Sequence, residues 1–185
     1  MAEIDRTLHD FVAFLFKKVY YPSGVFCPSE LIHEAYEVTV KDVQYHEPHA
    51  DCDDIWLNIT LARNELPVFL YRLGSIAYQK DPVKHNDLLN VIHWIMQEVC
   101  ACQIYYSNRI GEGFRVVHGV GTVIGSRNTI GKGFKVYQGV TIGHRKDKES
   151  GCVIGDDVTV YANASILGAV NVPDKTVVKC GEIVK

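Results

Sequence analysis

The stretch Ile124-Gly125-Ser126-Arg127-Asn128-Thr129-Ile130-Gly131-Lys132-Gly133-Phe134-Lys135-Val136-Tyr137-Gln138-Gly139-Val140-Thr141-Ile142-Gly143 puts a branched aliphatic residue at every sixth position, and glycine follows three of the four. Outward from it the same beat takes in Ile104, Ile110 and Val116 on one side and Ile154, Val160, Ile166, Val172, Val178 and Val184 on the other. An amphipathic helix repeats near 3.6 residues and a half-buried strand near two, so neither yields a period of six. A chain wound into a parallel β-helix does: each hexad is a short strand and a corner, three hexads close one coil, and stacked aliphatics fill the axis. The reading is α+β, with a helical domain over 1–102 and a β-helix over 103–185.

The repeat is broken twice. Between Val116 and Ile124 the step is two residues too long, through Val117-His118-Gly119-Val120-Gly121-Thr122. Between Ile142 and Ile154 the phase is kept, but Lys148 stands at an aliphatic position within His144-Arg145-Lys146-Asp147-Lys148-Glu149-Ser150-Gly151. A rigid prism carries its chemistry where its repeat is interrupted, and the two breaks are expected to flank a cleft.

The first hundred residues have helical grammar. Ile4, Leu8, Phe11, Val12, Leu15, Phe16 and Val19 fall on one helical face, with Lys17 and Lys18 near the C-terminal end and Pro22-Ser23-Gly24 as the stop. Pro28-Ser29-Glu30 opens a second helix with Leu31, Ile32, Ala35 and Tyr36 inside. The polar stretch from Tyr45 to Asp54 reads as a loop. A third helical segment is expected over 55–79 with a bend at Pro67, and a fourth over 84–102.

A chain of 185 residues with a net charge of -3 offers no basic surface for nucleic acid or anionic lipid. No apolar run reaches the roughly 18 residues of a membrane span, and the N-terminus lacks a cationic segment before an apolar one. These features read as a cytoplasmic protein without membrane insertion. The six cysteines are scattered in a chain large enough to fold without staples, which points to reduced, mostly packed thiols and no metal site. Cys100 and Cys102, two apart in a helical run, are expected on different faces.

His118 is the candidate catalytic residue, because it sits at the first break between glycines that let a ligand approach. Imidazole titrates near neutrality and suits the removal of a proton from an alcohol and its return to a leaving thiol. His144 opens the second break as a candidate substrate-binding group. Arg145, Lys146 and Lys148 read as a solvated turn whose cations suit cofactor phosphates.

The segment Ile110-Gly111-Glu112-Gly113-Phe114-Arg115-Val116-Val117-His118-Gly119-Val120-Gly121-Thr122-Val123-Ile124-Gly125, with Val136-Tyr137-Gln138-Gly139-Val140-Thr141-Ile142-Gly143, closely resembles the serine O-acetyltransferase branch of the hexapeptide-repeat acyltransferases. Upstream, Leu70-Tyr71-Arg72-Leu73-Gly74-Ser75 is similar to a helix of that branch. The resemblance implies a left-handed parallel β-helix, acetyl-CoA as co-substrate, and a homotrimer or dimer of trimers with the acyl site between neighbouring prisms. It implies His118 as general base, and Gly143 and Ala162 beside the pantetheine arm of the cofactor.

Three departures bear on the acceptor. The carboxylate that orients the family's histidine maps onto Gln103, the aspartate that binds the amino group of serine maps onto Val117, and the loop histidine and arginine that meet the substrate carboxylate have no counterpart near Ser150-Gly151. Gln103 is left to hold the imidazole tautomer as a neutral partner. The expectation is an acetyl-CoA-dependent O-acyltransferase acting on a small hydroxyl acceptor such as a sugar. The alternatives are a divergent serine acetyltransferase in which His49, Asp51 or Asp53 has taken over the substrate contacts, and a non-catalytic binding relative.

Overall fold

A computed structural model describes residues 2–20, 24–144 and 150–185, and side chains from residue 7 onward within these ranges. Pro22, Ser23, Arg145, Lys146 and Lys148 lie outside it, as does the side chain of Ile4. Five helices come first: α1 (Ala2–Phe16), α2 (Ser29–His46), α3 (Cys52–Thr60), α4 (Glu65–Lys80) and α5 (Asn86–Cys100). Leu8, Val12 and Leu15 of α1, Leu31, Ile32 and Ala35 of α2, and nearly the whole of α4 from Leu66 to Ser75 are buried. Helix α4 is therefore the axis of this half.

The helix boundaries differ from the sequence reading in four places. Tyr45 and His46 belong to α2, and Asp53 and Asp54 to α3, so the expected loop shrinks to 47–51. Asp51 caps α3: its Oδ1 accepts the Asp53 amide at 2.8 Å. The expected third helix is two helices, and Pro67 bends neither. It lies in the first turn of α4, where a residue without an N–H leaves no intrahelical bond unmade. The chain turns instead at 61–64. Ala62 is left-handed, with φ of 53°, and the Arg63 and Ala62 amides donate to the Asn58 and Ile59 carbonyls, the Schellman pattern of a helix end. Helix α5 ends at Cys100, and α1 ends at Phe16, before Lys17 and Lys18.

Thirteen short parallel strands follow: β1 (Gln103–Ile104), β2 (Arg109–Ile110), β3 (Arg115–Val117), β4 (Val123–Ile124), β5 (Thr129–Ile130), β6 (Lys135–Tyr137), β7 (Thr141–Gly143), β8 (Val153–Ile154), β9 (Thr159–Val160), β10 (Ser165–Leu167), β11 (Asn171–Val172), β12 (Val177–Val178) and β13 (Ile183–Val184). Every third strand pairs, giving three faces ordered β1-β4-β7-β10-β13, β2-β5-β8-β11 and β3-β6-β9-β12. This is the left-handed parallel β-helix, of about four coils. The repeat aliphatics from Ile104 to Val178 all point inward and are buried, while Val184 in the last strand is half-buried.

The register shows how each break is absorbed. Gln103 pairs with Val123, Val123 with Thr141 and Thr141 with Ser165. The first break thus adds two residues to the corner after β3. The second is a whole extra hexad extruded after β7, and Ile130 still meets Ile154. Because β3 and β7 belong to different faces, the breaks emerge at different edges of the prism. The cleft expected between them does not form within one chain.

The helical half is locked to the prism by α4. Arg72, buried, donates from Nε and Nη2 to the two carboxylate oxygens of Asp42 on α2 at 2.7 and 2.8 Å. It also donates to the carbonyls of Ile110 and Gly111, both at 2.7 Å. Asp42 Oδ1 in turn accepts the amides of Gly113 and Phe114 at 2.8 and 3.1 Å. The Tyr71 hydroxyl donates to the Asn108 carbonyl and accepts the Ile110 amide. At Gly74 an added Cβ would lie 3.1 Å from Tyr106 Cβ, so a small residue lets α4 approach the first coil. No helix among the described residues is long and apolar enough to cross a membrane.

Candidate active site

The two extra residues after β3 form a turn that stands off the prism toward the helices. Val116 points inward, Val117 points outward on the same strand, and His118 follows with a left-handed backbone, φ of 53°. An L-residue in that conformation costs about 1 to 2 kcal/mol and needs outside support. Support comes from both directions. The Asn64 side chain accepts the His118 amide at 2.9 Å, and beyond the turn the Gly121 amide donates to the Ala101 carbonyl at 2.8 Å while Thr122 Oγ1 donates to the Tyr137 carbonyl. Gly119 cannot be larger, since a Cβ there would stand 2.6 Å from Val116 Cγ1.

His118 is exposed and faces a cavity of about 200 Å³ between the prism and the helical half. The α3–α4 corner supplies Ala62, Arg63 and Asn64, the end of α5 supplies Val99 to Ala101, and the turn itself supplies Gly119 and Val120. Among the described residues Arg63 is the one charged residue of this wall besides His118, and no carboxylate lines it. Arg63 Nη1 donates to Asn58 Oδ1 at 3.1 Å, which keeps the guanidinium near the corner. The site therefore holds an imidazole, a cation and apolar surface, with Val120 66 % exposed at its mouth.

The other candidate residues lie apart from His118. Gln103 faces a separate cavity with Gln97, Cys102 and Thr122, and no hydrogen bond among the described residues joins it to His118. His144 is at the next edge, where its Nε2 is 2.6 Å from the Ser126 carbonyl and its buried Nδ1 has no hydrogen-bond partner among the described residues. That bond fixes the imidazole against the coil below. Gly143 shares this edge; a Cβ added there would meet nothing within 4 Å among the described residues, which leaves this backbone open toward a ligand chain. Ala162 lies on the edge of His118, two coils farther along, with its carbonyl accepting the Gly181 amide at 3.0 Å. His49, Asp51 and Asp53 sit at the α2–α3 corner outside the His118 cavity.

Sequence reasoning missed Arg63 and Asn64. The signal was weak but present: Pro67, three residues after Asn64, removes the amide that an asparagine cap would ordinarily bind. The cysteine pair also differs from expectation. Because Ala101 is left-handed (φ of 50°), the chain reverses after α5 and the Cys100 thiol hydrogen-bonds Cys102, which together with burial pushes the pKa of the Cys100 thiol far up. All six cysteines are free.

Comparison with known proteins points one way. A serine acetyltransferase of Synechococcus elongatus is 26 % identical, over 59 % of this chain and 57 % of its own length. A probable serine acetyltransferase 2 of Oryza sativa subsp. japonica is 38 % identical over 56 % of this chain and 32 % of its own length. The chain thus spans at most little more than half of these relatives. The crystal structure of a serine acetyltransferase from Brucella abortus in complex with coenzyme A superimposes over 98 % of this chain and 76 % of that one, with a TM-score of 0.69 at 16 % identity, which shows a shared fold. No protein-family model matches the chain. The resemblance to the serine O-acetyltransferase branch read from the repeat is borne out.

Proposed function

We propose that the protein is an acetyl-CoA-dependent O-acetyltransferase of the serine acetyltransferase type, with L-serine as the acceptor its relatives point to. The observation that carries this reading is His118: an exposed imidazole, held left-handed at the one corner where the coil is lengthened toward the helices, and facing a cavity sized for a small molecule. Its place in the hexad series is the place of the general base in the family it resembles.

In this reading one imidazole nitrogen of His118 takes the proton of the acceptor hydroxyl. The oxygen attacks the acetyl carbonyl, the tetrahedral adduct collapses to the ester, and the departing thiolate takes the proton back from the imidazolium. Base and acid are then one group, regenerated each cycle. Acetyl-CoA is a second substrate rather than a resident group. The open backbone at Gly143 fits passage of an extended chain, and Ala162 lies farther along the edge that carries His118. Since Gly143 and His118 occupy different edges of one prism, a site that uses both is completed by a neighbouring prism. A homotrimer, with His144 and Gly143 of one chain approaching His118 of the next, satisfies this.

A second reading is favoured by one observation: among the described residues no carboxylate lines the wall around His118. An ammonium entering there finds the Arg63 guanidinium and no acidic partner among the described residues, and an unpaired buried charge is costly. A neutral hydroxyl compound such as a sugar meets no such cost. Both readings are tested by release of free thiol from acetyl-CoA with L-serine, homoserine, and neutral and amino sugars, on the wild type and His118→Ala. Acceptor-dependent release that falls about 10² to 10⁴-fold in His118→Ala is the expected result. Release that is unchanged in the variant removes His118 from the mechanism, and release absent with every acceptor leaves a binding protein instead.

A further inference from the structure

We infer that Asn64 is a positioning residue for His118, supplied by the helical half. The inference rests on the reading of His118 as the base, and it deepens it. Asparagine at a helix N-cap ordinarily turns its side-chain oxygen onto the amide two or three residues ahead. Both local partners are gone here. The Leu66 amide donates to the Arg63 carbonyl at 3.1 Å, and residue 67 is proline, with no amide to give. Asn64 has helical φ and ψ of -58° and -23°, makes no cap bond, and its Oδ1 reaches across to the His118 amide at 2.9 Å instead. A local rule is broken where the prism needs support.

What that bond supports is the left-handed backbone of the candidate base. Without an acceptor for its amide, a β-branched-free but still bulky His118 gains by relaxing toward ordinary φ, and this swings the imidazole away from its direction into the cavity. The bond is as firm as its two anchors. Asn64 opens α4, and α4 is fixed to the first coil by Arg72 two turns on, through the Ile110 and Gly111 carbonyls. The Schellman turn at Ala62 and Arg63 fixes the chain on the other side. The helical half is thus part of the site: it sets the aim of the base.

The test compares Asn64→Ala and Asn64→Asp with the wild type and His118→Ala. The readouts are kcat, KM for acetyl-CoA and acceptor, the acid limb of kcat/KM, the melting temperature, and the 15N and 1H shifts of the His118 amide. Misplacement of a reacting group by about 1 Å costs up to about a hundredfold. Asn64→Ala should therefore lower kcat by about tenfold or more with both KM values within about twofold, and should move the His118 amide signal. Asn64→Asp keeps the acceptor oxygen and should restore most of kcat. Its carboxylate favours the imidazolium, so the acid limb should shift to higher pH. A purely structural role predicts a lowered melting temperature in Asn64→Ala with kcat unchanged well below it, and that result overturns the inference. Equal losses in both variants with an unmoved acid limb overturn it as well. If the wild type transfers no acetyl group to any acceptor, the proposed function is what fails. The Asn64 contact is then judged by the His118 amide, and a signal unchanged in Asn64→Ala refutes it.

Discussion

Removing the carboxylate of Asp42 should cost more than removing any other single polar group at the join between helices and prism. Asp42→Ala leaves Arg72, only 7 % exposed, without its counter-charge, and leaves the Gly113 and Phe114 amides without their acceptor. Breaking a buried pair by deleting one partner costs about 3 to 5 kcal/mol, and an unsatisfied buried amide about 1 to 3 kcal/mol. These losses overlap, since water enters the space left behind, so about 4 to 5 kcal/mol is expected. In a chain of this size each kcal/mol moves the melting temperature by about 2 to 4 °C, which gives a drop of about 8 to 20 °C. Trp56 in α3 and Trp94 in α5 are the two tryptophans of the chain, both in the helical half, so their fluorescence follows that half alone. The tryptophan transition in Asp42→Ala should precede the loss of strand signal by circular dichroism. A buried ion pair can often be replaced by two apolar residues without loss. That escape is closed here, because the pair also satisfies two carbonyls and two amides of the first coil. The double variant Asp42→Leu, Arg72→Met should stay about 2 kcal/mol or more below the wild type. A single variant within about 1 kcal/mol of the wild type, or a double variant as stable as the wild type, refutes the reasoning.

Val117→Asp places a carboxylate on the outward face beside His118, and should raise kcat/KM for L-serine by roughly ten to a hundredfold, the worth of one charge-assisted bond of about 1.5 to 3 kcal/mol. Steady-state kinetics with serine at fixed acetyl-CoA check it, and an unchanged ratio would show that the ammonium is met elsewhere. Burial holds the half-buried His46 imidazole below its ordinary value, against the opposing pull of its 2.7 Å bond to the Gly113 carbonyl. A folded-state pKa below the unfolded one means that the unfolded chain takes the proton first. This contribution to stability is therefore whole above about pH 6.5 and is lost as pH falls below it. Thermal melts between pH 7.5 and 5.5 should fall less steeply in His46→Gln than in the wild type; parallel slopes would exclude His46 as a source.

The sequence by itself determined the prism. A six-residue period with buried aliphatics has one architectural solution, because every inward position of a three-faced coil is set by the residue one hexad away. The breaks in that period marked His118 and His144, since an insertion into a strict repeat must emerge at a corner. Helical periodicity also placed most of the helical core, although it ran α3 and α4 together: Pro67 is visible in sequence, but whether a proline bends a helix or opens one depends on where the chain turned before it. Which edge each break leaves by was legible only once the strands had been paired, and that separation keeps His118 from His144 within one chain. The partners of His118 were beyond the sequence for the same reason. Asn64 lies 54 residues from the amide it holds, and a contact of that span is fixed by the docking of α4 through Arg72 and Asp42. No local pattern encodes it, because the energy that holds it comes from groups on three different elements.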